Sequence, residues 1–97
     1  MTLKPVKMSV SAATALAAAG TACNKMAVRA LATNTGTMYV GTSGLNKATY
    51  TNVIATLAAG ESLVIGDEFF SNTLDASQIF IDADVATDML IGFLATR

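Results

Sequence analysis

Three aspartates near the end of the sequence, Asp82, Asp84 and Asp88, lie within seven residues and could together bind a metal ion. Carboxylate oxygens grouped on a turn are the ligands that Ca²⁺ prefers. The group lacks the glycine and the bidentate glutamate of a complete calcium loop. We therefore expect no calcium requirement. Asp82 should face solvent opposite an inward Ile81, while Asp84 and Asp88 should stabilise a turn through hydrogen bonds to the backbone.

The other residue types that support catalysis or metal binding are scarce. The chain has no histidine and one cysteine, which excludes His-based triads, Cys/His zinc sites and an internal disulfide. Cys23 has no partner to activate it, so we expect a small buried hydrophobe, with an interchain disulfide as the alternative. Gly36, Gly41 and Gly44 lack the Gly-Lys-Ser/Thr ending of a phosphate loop and are interpreted as turn glycines. We expect neither an enzyme nor a cofactor.

The charges are balanced in number but segregated along the chain. Six Lys and Arg residues oppose seven Asp and Glu residues, which argues against binding to nucleic acid or to an anionic membrane. Five of the six cations precede Glu61, and all seven acids lie between Glu61 and Asp88. The charges could pair across strands of one sandwich. Alternatively, Lys25 and Arg29 could face Asp82, Asp84 or Asp88 of a neighbouring chain.

The composition predicts a thin core that gains from a partner subunit. Alanine supplies 18 residues of the 53% hydrophobic fraction, and only six residues are aromatic. Charged residues make up 13%, well below the roughly 25% of typical soluble domains. The last predicted strand is apolar on both faces, with Met89, Ile91 and Phe93 on one and Leu90 and Leu94 on the other. Either the strand is buried on both sides within the domain or its outer face contacts another chain. We favour contact with another chain, and we favour a trimer.

These residues must be positioned by short strands. Asn34-Thr35-Gly36 lies between two extended runs, 26–32 and 37–40, and predicts a β-hairpin. The segment from Gly41 to Gly44 should end the second strand, and residues 45–56 should form a loop that ends in a short strand over 53–57. Further elements are predicted as a turn at 58–61, a strand at 62–65, a loop at 67–76 pinned by Phe69 and Phe70, a strand at 78–82, a turn at 83–86 and a strand at 88–94 that closes a second hairpin.

This pattern predicts one all-β domain over residues 1–97, a small β-sandwich or jelly-roll-like domain of about six to eight short antiparallel strands. Residues 1–22 are expected to form an N-terminal arm or first strand that contributes to subunit contacts. The Ala-rich segment from Ser11 to Ala19 could be a helix, but it offers one large apolar residue for docking, so we favour extended or irregular structure.

Three segments of the chain resemble a family of small tailed-phage virion proteins. The segments are Asn34-Thr35-Gly36-Thr37-Met38-Tyr39-Val40-Gly41, Leu57-Ala58-Ala59-Gly60-Glu61-Ser62 and Ile79-Phe80-Ile81-Asp82-Ala83-Asp84. In the family, an NTG hairpin with a YVG strand is followed by an LAAGES-like turn and a strand ending in Asp-Ala. The chain departs from that pattern in a longer Thr-rich stretch between Gly44 and Leu57 and in an expanded loop from Asp67 to Asp75.

The resemblance implies a structural protein of a virus particle, often a decoration or cement subunit and commonly trimeric. The expected partners are the chain itself and the major capsid protein, and the expected location is the outer surface of the head after assembly in the host cytoplasm. A neck, tail or head-fibre accessory protein is the nearest alternative. A carbohydrate- or cell-surface-binding sandwich is the rival class, for which Tyr50 is the one clear candidate to stack on a sugar ring.

Overall fold

The computed structural model describes residues 2–16, 22–65 and 74–96. Within these ranges the protein is all-β, as predicted, with one short 3-10 helix over Ala76–Gln78. The nine strands are β1 (Thr2–Met8), β2 (Thr14–Ala15), β3 (Ala22–Ala30), β4 (Met38–Asn46), β5 (Thr51–Leu57), β6 (Ser62–Ile65), β7 (Leu74–Asp75), β8 (Phe80–Ala83) and β9 (Leu90–Thr96).

The strands form two antiparallel sheets. The five-stranded sheet has the order β1-β9-β3-β6, with β7 also paired to β3, and the four-stranded sheet has the order β2-β8-β4-β5. Among the described strands, β4 and β5 are the one pair that is consecutive in sequence and also hydrogen-bonded. The other pairs join distant parts of the chain, so the sheets depend on long-range contacts.

The core lies between the two sheets and is made of medium-sized side chains. Met26, Leu90 and Leu94 of the five-stranded sheet are fully buried, and so are Met38 and Ile81 of the four-stranded sheet. None of the aromatic residues in the described ranges is fully buried. The core therefore buries modest apolar area for each residue, in keeping with the prediction from composition.

The predicted hairpin at Asn34-Thr35-Gly36 is wrong. The flanking strands lie in different sheets, because β3 belongs to the five-stranded sheet and β4 to the four-stranded sheet. Residues 34–36 all have negative φ, whereas a type I′ hairpin turn needs positive φ at both central residues. The segment is a connection between sheets.

The predicted second hairpin is wrong for the same reason. β8 pairs with β2 and β4, while β9 pairs with β1 and β3, so residues 84–89 also cross between sheets. The turn at 58–61 is confirmed: the amide of Glu61 donates to the Ala58 carbonyl, and Gly60 has a φ of +81°. That turn is a third crossing, from β5 to β6.

The region after Val40 also differs from the prediction. β4 continues through Gly41 and Gly44 to Asn46 and forms a hairpin with β5, so residues 45–56 are mostly strand. β4 continues past Gly41 because the register of its pairing with β5 shifts there. A Cβ atom at Gly41 would lie 2.1 Å from the carbonyl oxygen of Asn52, so this close approach requires glycine.

The N-terminal segment begins as a regular strand. β1 pairs with β9 over seven residues, and no described strand pairs with its other edge. Lys4, Pro5 and Lys7 on this edge discourage pairing with foreign strands. Residues 11–16 are irregular or extended, as favoured, while residues 17–19 of the Ala-rich segment lie outside the described residues, as do Phe69 and Phe70.

Candidate functional site

The three aspartates occupy separate environments. Asp88 is 5% exposed, and its carboxylate accepts hydrogen bonds from the backbone amides of Thr35, at 3.0 Å, and Gly36, at 2.8 Å. It thereby fastens the connection between β3 and β4 to the connection between β8 and β9. The prediction that Asp88 bonds to backbone is confirmed. The bonds join two crossing segments that are distant in sequence.

Asp82 does not face solvent, contrary to the prediction, since it is only 8% exposed. It lies opposite Tyr39 on the face of the four-stranded sheet that points away from the core. The turn between β4 and β5 places Lys47 beside this face, with its Nζ 3.9 Å from Asp82 Oδ1. The other contact of that oxygen is with the amide of Ala83, at 2.7 Å.

Asp84 also differs from the prediction, because its carboxylate contacts the side chains of Tyr39 and Lys47. Both carboxylate oxygens accept from the Tyr39 hydroxyl, at 3.2 and 3.1 Å, and Oδ1 lies 3.9 Å from Lys47 Nζ. Lys47 Nζ also donates to the Ala83 carbonyl oxygen. In the described residues, no group of three or more His, Cys, Asp or Glu side chains is arranged to hold a metal ion.

Two tyrosines complete the group of side chains around Lys47 and Asp84. The rings of Tyr39 and Tyr50 lie edge to face, with centroids 6.0 Å apart and planes at 83°. Tyr39 is buried, and Tyr50 is 62% exposed. Burial, together with the hydrogen bond to Asp84, raises the pKa of Tyr39 to about 12. We call Tyr39, Lys47, Tyr50 and Asp84 the tyrosine cluster.

Cys23 is completely buried, so the expectation of a small buried hydrophobe is confirmed. Burial raises the pKa of its thiol, with the charge of Asp75 as a smaller cause. A thiol with a raised pKa and no solvent access is a poor nucleophile.

The outward surface of the five-stranded sheet is a candidate interface. Strand register places Pro5, Phe93, Ala27 and Val64 side by side across four strands. Because paired residues in a sheet point to the same side, these four form a continuous apolar row. Val64 is 48% exposed. A shallow depression of about 260 Å³ lies along this part of the sheet.

Cations border the apolar row on both sides. One neighbouring row runs Lys7, Ile91, Arg29 and Ser62, and the other runs Leu3, Ala95 and Lys25. The three rows contain three cations and no acid. We call this surface the outer face; its members are Leu3, Pro5, Lys7, Lys25, Ala27, Arg29, Ser62, Val64, Ile91, Phe93 and Ala95.

The structure divides the predicted interface residues between several places. Lys25, Arg29, Ile91 and Phe93 lie together on the outer face, while Leu90 and Leu94 are fully buried inside the chain. Met89 is half-buried in the crossing segment, where its backbone contacts Asn34. Asp82, Asp84 and Asp88 have partners within the chain, on the other sheet or in its connections.

Sequence reasoning missed several residues of these surfaces. Val6, Met8 and Val10 alternate with Lys7 and Ser9, which is a strand signal, but this alternation does not show that Leu3 and Pro5 lie on an outward apolar face. Val64 lies in a short strand, and no local pattern shows that its outward side chain continues an apolar row from neighbouring strands. No local sequence pattern indicated a role for Lys47, because the residues that it contacts lie in β8 or directly after it, which is distant in sequence.

Comparisons with known proteins add no assignment. No protein-family model, no curated protein and no solved structure matches the chain. Within the described ranges, no helix has the length and apolar character needed to cross a membrane.

Proposed function

We propose that the protein is a structural component of a phage virion, a capsid decoration protein that binds between major capsid protein subunits. The observation that carries this proposal is the outer face, an apolar row bordered by cations on a rigid sheet. The sequence resemblance to small tailed-phage virion proteins supports the same class. The proposed occupant of the outer face is a capsid surface with apolar residues at its centre and acidic residues around them.

The apolar side chains of the outer face supply the binding energy in this proposal. Val64 and Ile91 are 48% and 36% exposed, and covering each of them is worth about 1 kcal/mol. Such contacts are individually weak. A capsid lattice repeats them, and a decoration protein that forms trimers engages several lattice positions at once, which multiplies the effective affinity.

The cations supply orientation. Lys7, Lys25 and Arg29 lie around the apolar row and are exposed, so they attract an acidic partner and disfavour a basic one. Among the acids of the described residues, Asp82 and Asp88 are buried, Asp84 is held by Tyr39 and Lys47, and Glu61 and Asp75 accept hydrogen bonds from nearby backbone amides. These acids match the cations of a second copy poorly. An acidic partner of a different kind fits better than self-association through these charges alone.

Mass spectrometry of purified virions with copy numbers tests the proposal. A copy number on the scale of the capsid lattice supports decoration. A number matching one ring supports the nearest alternative, a neck, tail or head-fibre accessory protein. Absence from the particle overturns the virion assignment.

A binding assay then tests the surface. Heads assembled without the protein are mixed with the wild type, with Val64→Lys on the outer face, and with Ile54→Lys as the control. Ile54 is 52% exposed and lies on the four-stranded sheet, so its exposure matches that of Val64. Loss of binding with Val64→Lys alone is expected. Equal loss with both variants contradicts the outer face as the docking surface.

A further inference from the structure

We propose that the tyrosine cluster binds a neutral pyranose ring of a glycan, with Tyr50 as the stacking platform and Asp84 as a hydrogen-bond acceptor. This site lies on the sheet opposite the outer face. The inference does not depend on the proposed capsid role, and it adds a binding function to it.

The backbone at Tyr50 is the first observation. Tyr50 has a φ of +59°, a left-handed conformation that is costly for a bulky side chain. Asparagine or glycine would occupy this position with less strain. Tyr50 is 62% exposed, so burial of its large ring does not offset the cost of this backbone conformation. Strain of this kind is concentrated at functional sites.

The platform is also rigid. The ring of Tyr50 packs edge to face on Tyr39, which is itself held by two hydrogen-bond contacts with Asp84. The turn that carries Tyr50 is fixed by Lys47, which donates to the Ala83 carbonyl. A ring ordered before binding loses little conformational entropy when a ligand arrives. One ring face is enough for a pyranose, whose C–H groups pack against the negative π-face.

Polar groups beside the ring can bind the hydroxyls of a sugar. The side chain of Asp84 is 46% exposed, and that of Lys47 is 35% exposed, so each can take a further partner. Asp84 accepts and Lys47 donates, which suits the hydroxyl groups of a neutral sugar. Asp82, Asp84 and Lys47 together carry a net charge of -1, so an acidic sugar is disfavoured.

A saccharide fits this surface better than a protein does. The neighbours of Tyr50 in the turn and in β5 are Thr49, Thr51 and Asn52, all exposed and polar. A protein interface needs a contiguous apolar centre, which the apolar row gives the outer face. In the described part of the four-stranded sheet and its turn, the exposed large apolar side chains are Tyr50 and Ile54. An exposed aromatic ring beside hydroxyl and amide groups is suited to a sugar.

Nuclear magnetic resonance titrations of the whole chain test the inference. The probes are methyl α-glucoside, methyl α-galactoside, methyl α-mannoside and N-acetylglucosamine, each up to about 100 mM, because one ring contact gives a Kd on the order of 1 mM or weaker. At least one probe is expected to give saturating shifts at the Tyr50 ring and at the amides of residues 47–51 and 84.

Variants separate stacking from structure. Tyr50→Phe is expected to retain binding, and Tyr50→Asn is expected to lose it at least tenfold while Tm changes by only a few degrees. Leu3→Asn is the control, since Leu3 is 64% exposed on the other sheet. The inference is overturned if no probe shifts these resonances, if the shifts map elsewhere, or if Tyr50→Asn binds as the wild type does. The chemical-shift changes of the wild-type protein test the inference even if a variant fails to fold.

Discussion

Asn34 and Met89 are joined by two reciprocal hydrogen bonds across 55 positions of sequence. The Asn34 side-chain nitrogen donates to the Met89 carbonyl, and the Met89 amide donates to Asn34 Oδ1, both at 2.9 Å. Together with the carboxylate of Asp88, this pair locks two connections that cross between the sheets. These bonds satisfy backbone groups in the two connections, which would have been paired between strands if each connection had formed a hairpin.

Removal of the Asp88 carboxylate should destabilise the fold. Asp88→Ala leaves the amides of Thr35 and Gly36 without their acceptor in a partly buried place, and we expect a loss of about 2 to 3 kcal/mol. Chemical denaturation measures the loss. Thr87→Ala is the matched control, because Thr87 is exposed on the same segment and should change stability by less than about 0.5 kcal/mol.

Asn34→Ala should also destabilise, and the two changes should not be additive. Both side chains fasten the same crossing segment, so the double variant is expected to lose less than the sum of the single losses. A double-mutant cycle by denaturation measures this coupling. Strict additivity would mean that the two contacts act independently and that there is no shared lock.

Self-association should not depend on the cations of the outer face. We expect a trimer in light scattering, and Arg29→Glu should retain both the fold and the trimer, because Asp82, Asp84 and Asp88 have partners within their own chain. For the same reason, salt near 1 M, which shortens the Debye length to about 3 Å, should not dissociate the trimer. A monodisperse monomer across micromolar concentrations would contradict the trimer. Dissociation by salt or by Arg29→Glu would show that these charges orient the assembly.

Stability at high pH should report on Tyr39. Its pKa rises from an ordinary value of 10 to about 12 in the folded protein, through burial and the bond to Asp84. The unfolded chain therefore releases this proton first. The contribution is fully present below pH 10 and is lost as pH rises towards 12. The free energy of unfolding of Tyr39→Phe should fall less over that interval than that of the wild type, and equal slopes would refute this assignment.

Cys23 should be unreactive in the folded protein. Its side chain is completely buried and its pKa is raised, so both access and thiolate formation are suppressed. Ellman's reagent is expected to label it only at the rate of unfolding and to label it at once in denaturant. Fast labelling under native conditions would show that the N-terminal part of β3 opens readily.

The sequence allowed the strands to be predicted better than their pairing. The alternation of Met38 and Val40 against Tyr39 is a local signal, and it correctly placed the first part of β4. The partners of β4 are set by contacts with β5 and β8, and β8 is distant in sequence. The Asn-Thr-Gly signal was misread, because the residue that binds its amides, Asp88, lies more than fifty positions away.

The candidate surfaces were predictable only in part. Ile91 and Phe93 were identified from the apolar outward side of the last strand, and Tyr50 from its polar surroundings. The row that extends them to Pro5 and Val64 depends on sheet order, which no local pattern reports. Asp82 was misplaced because the cation beside it, Lys47, comes from the turn between β4 and β5, which is distant in sequence.

The strand order also constrains when the protein can fold during its synthesis. β9 lies between β1 and β3, yet it follows both of them in the chain. While β1 and β3 have left the ribosome and β9 has not, these two strands have no partner between them, and the nascent chain exposes their apolar sides. The β4–β5 hairpin can form early, whereas the five-stranded sheet has to wait for β9. Slow translation of the segment that ends with β9 therefore lengthens the time in which a chaperone can bind.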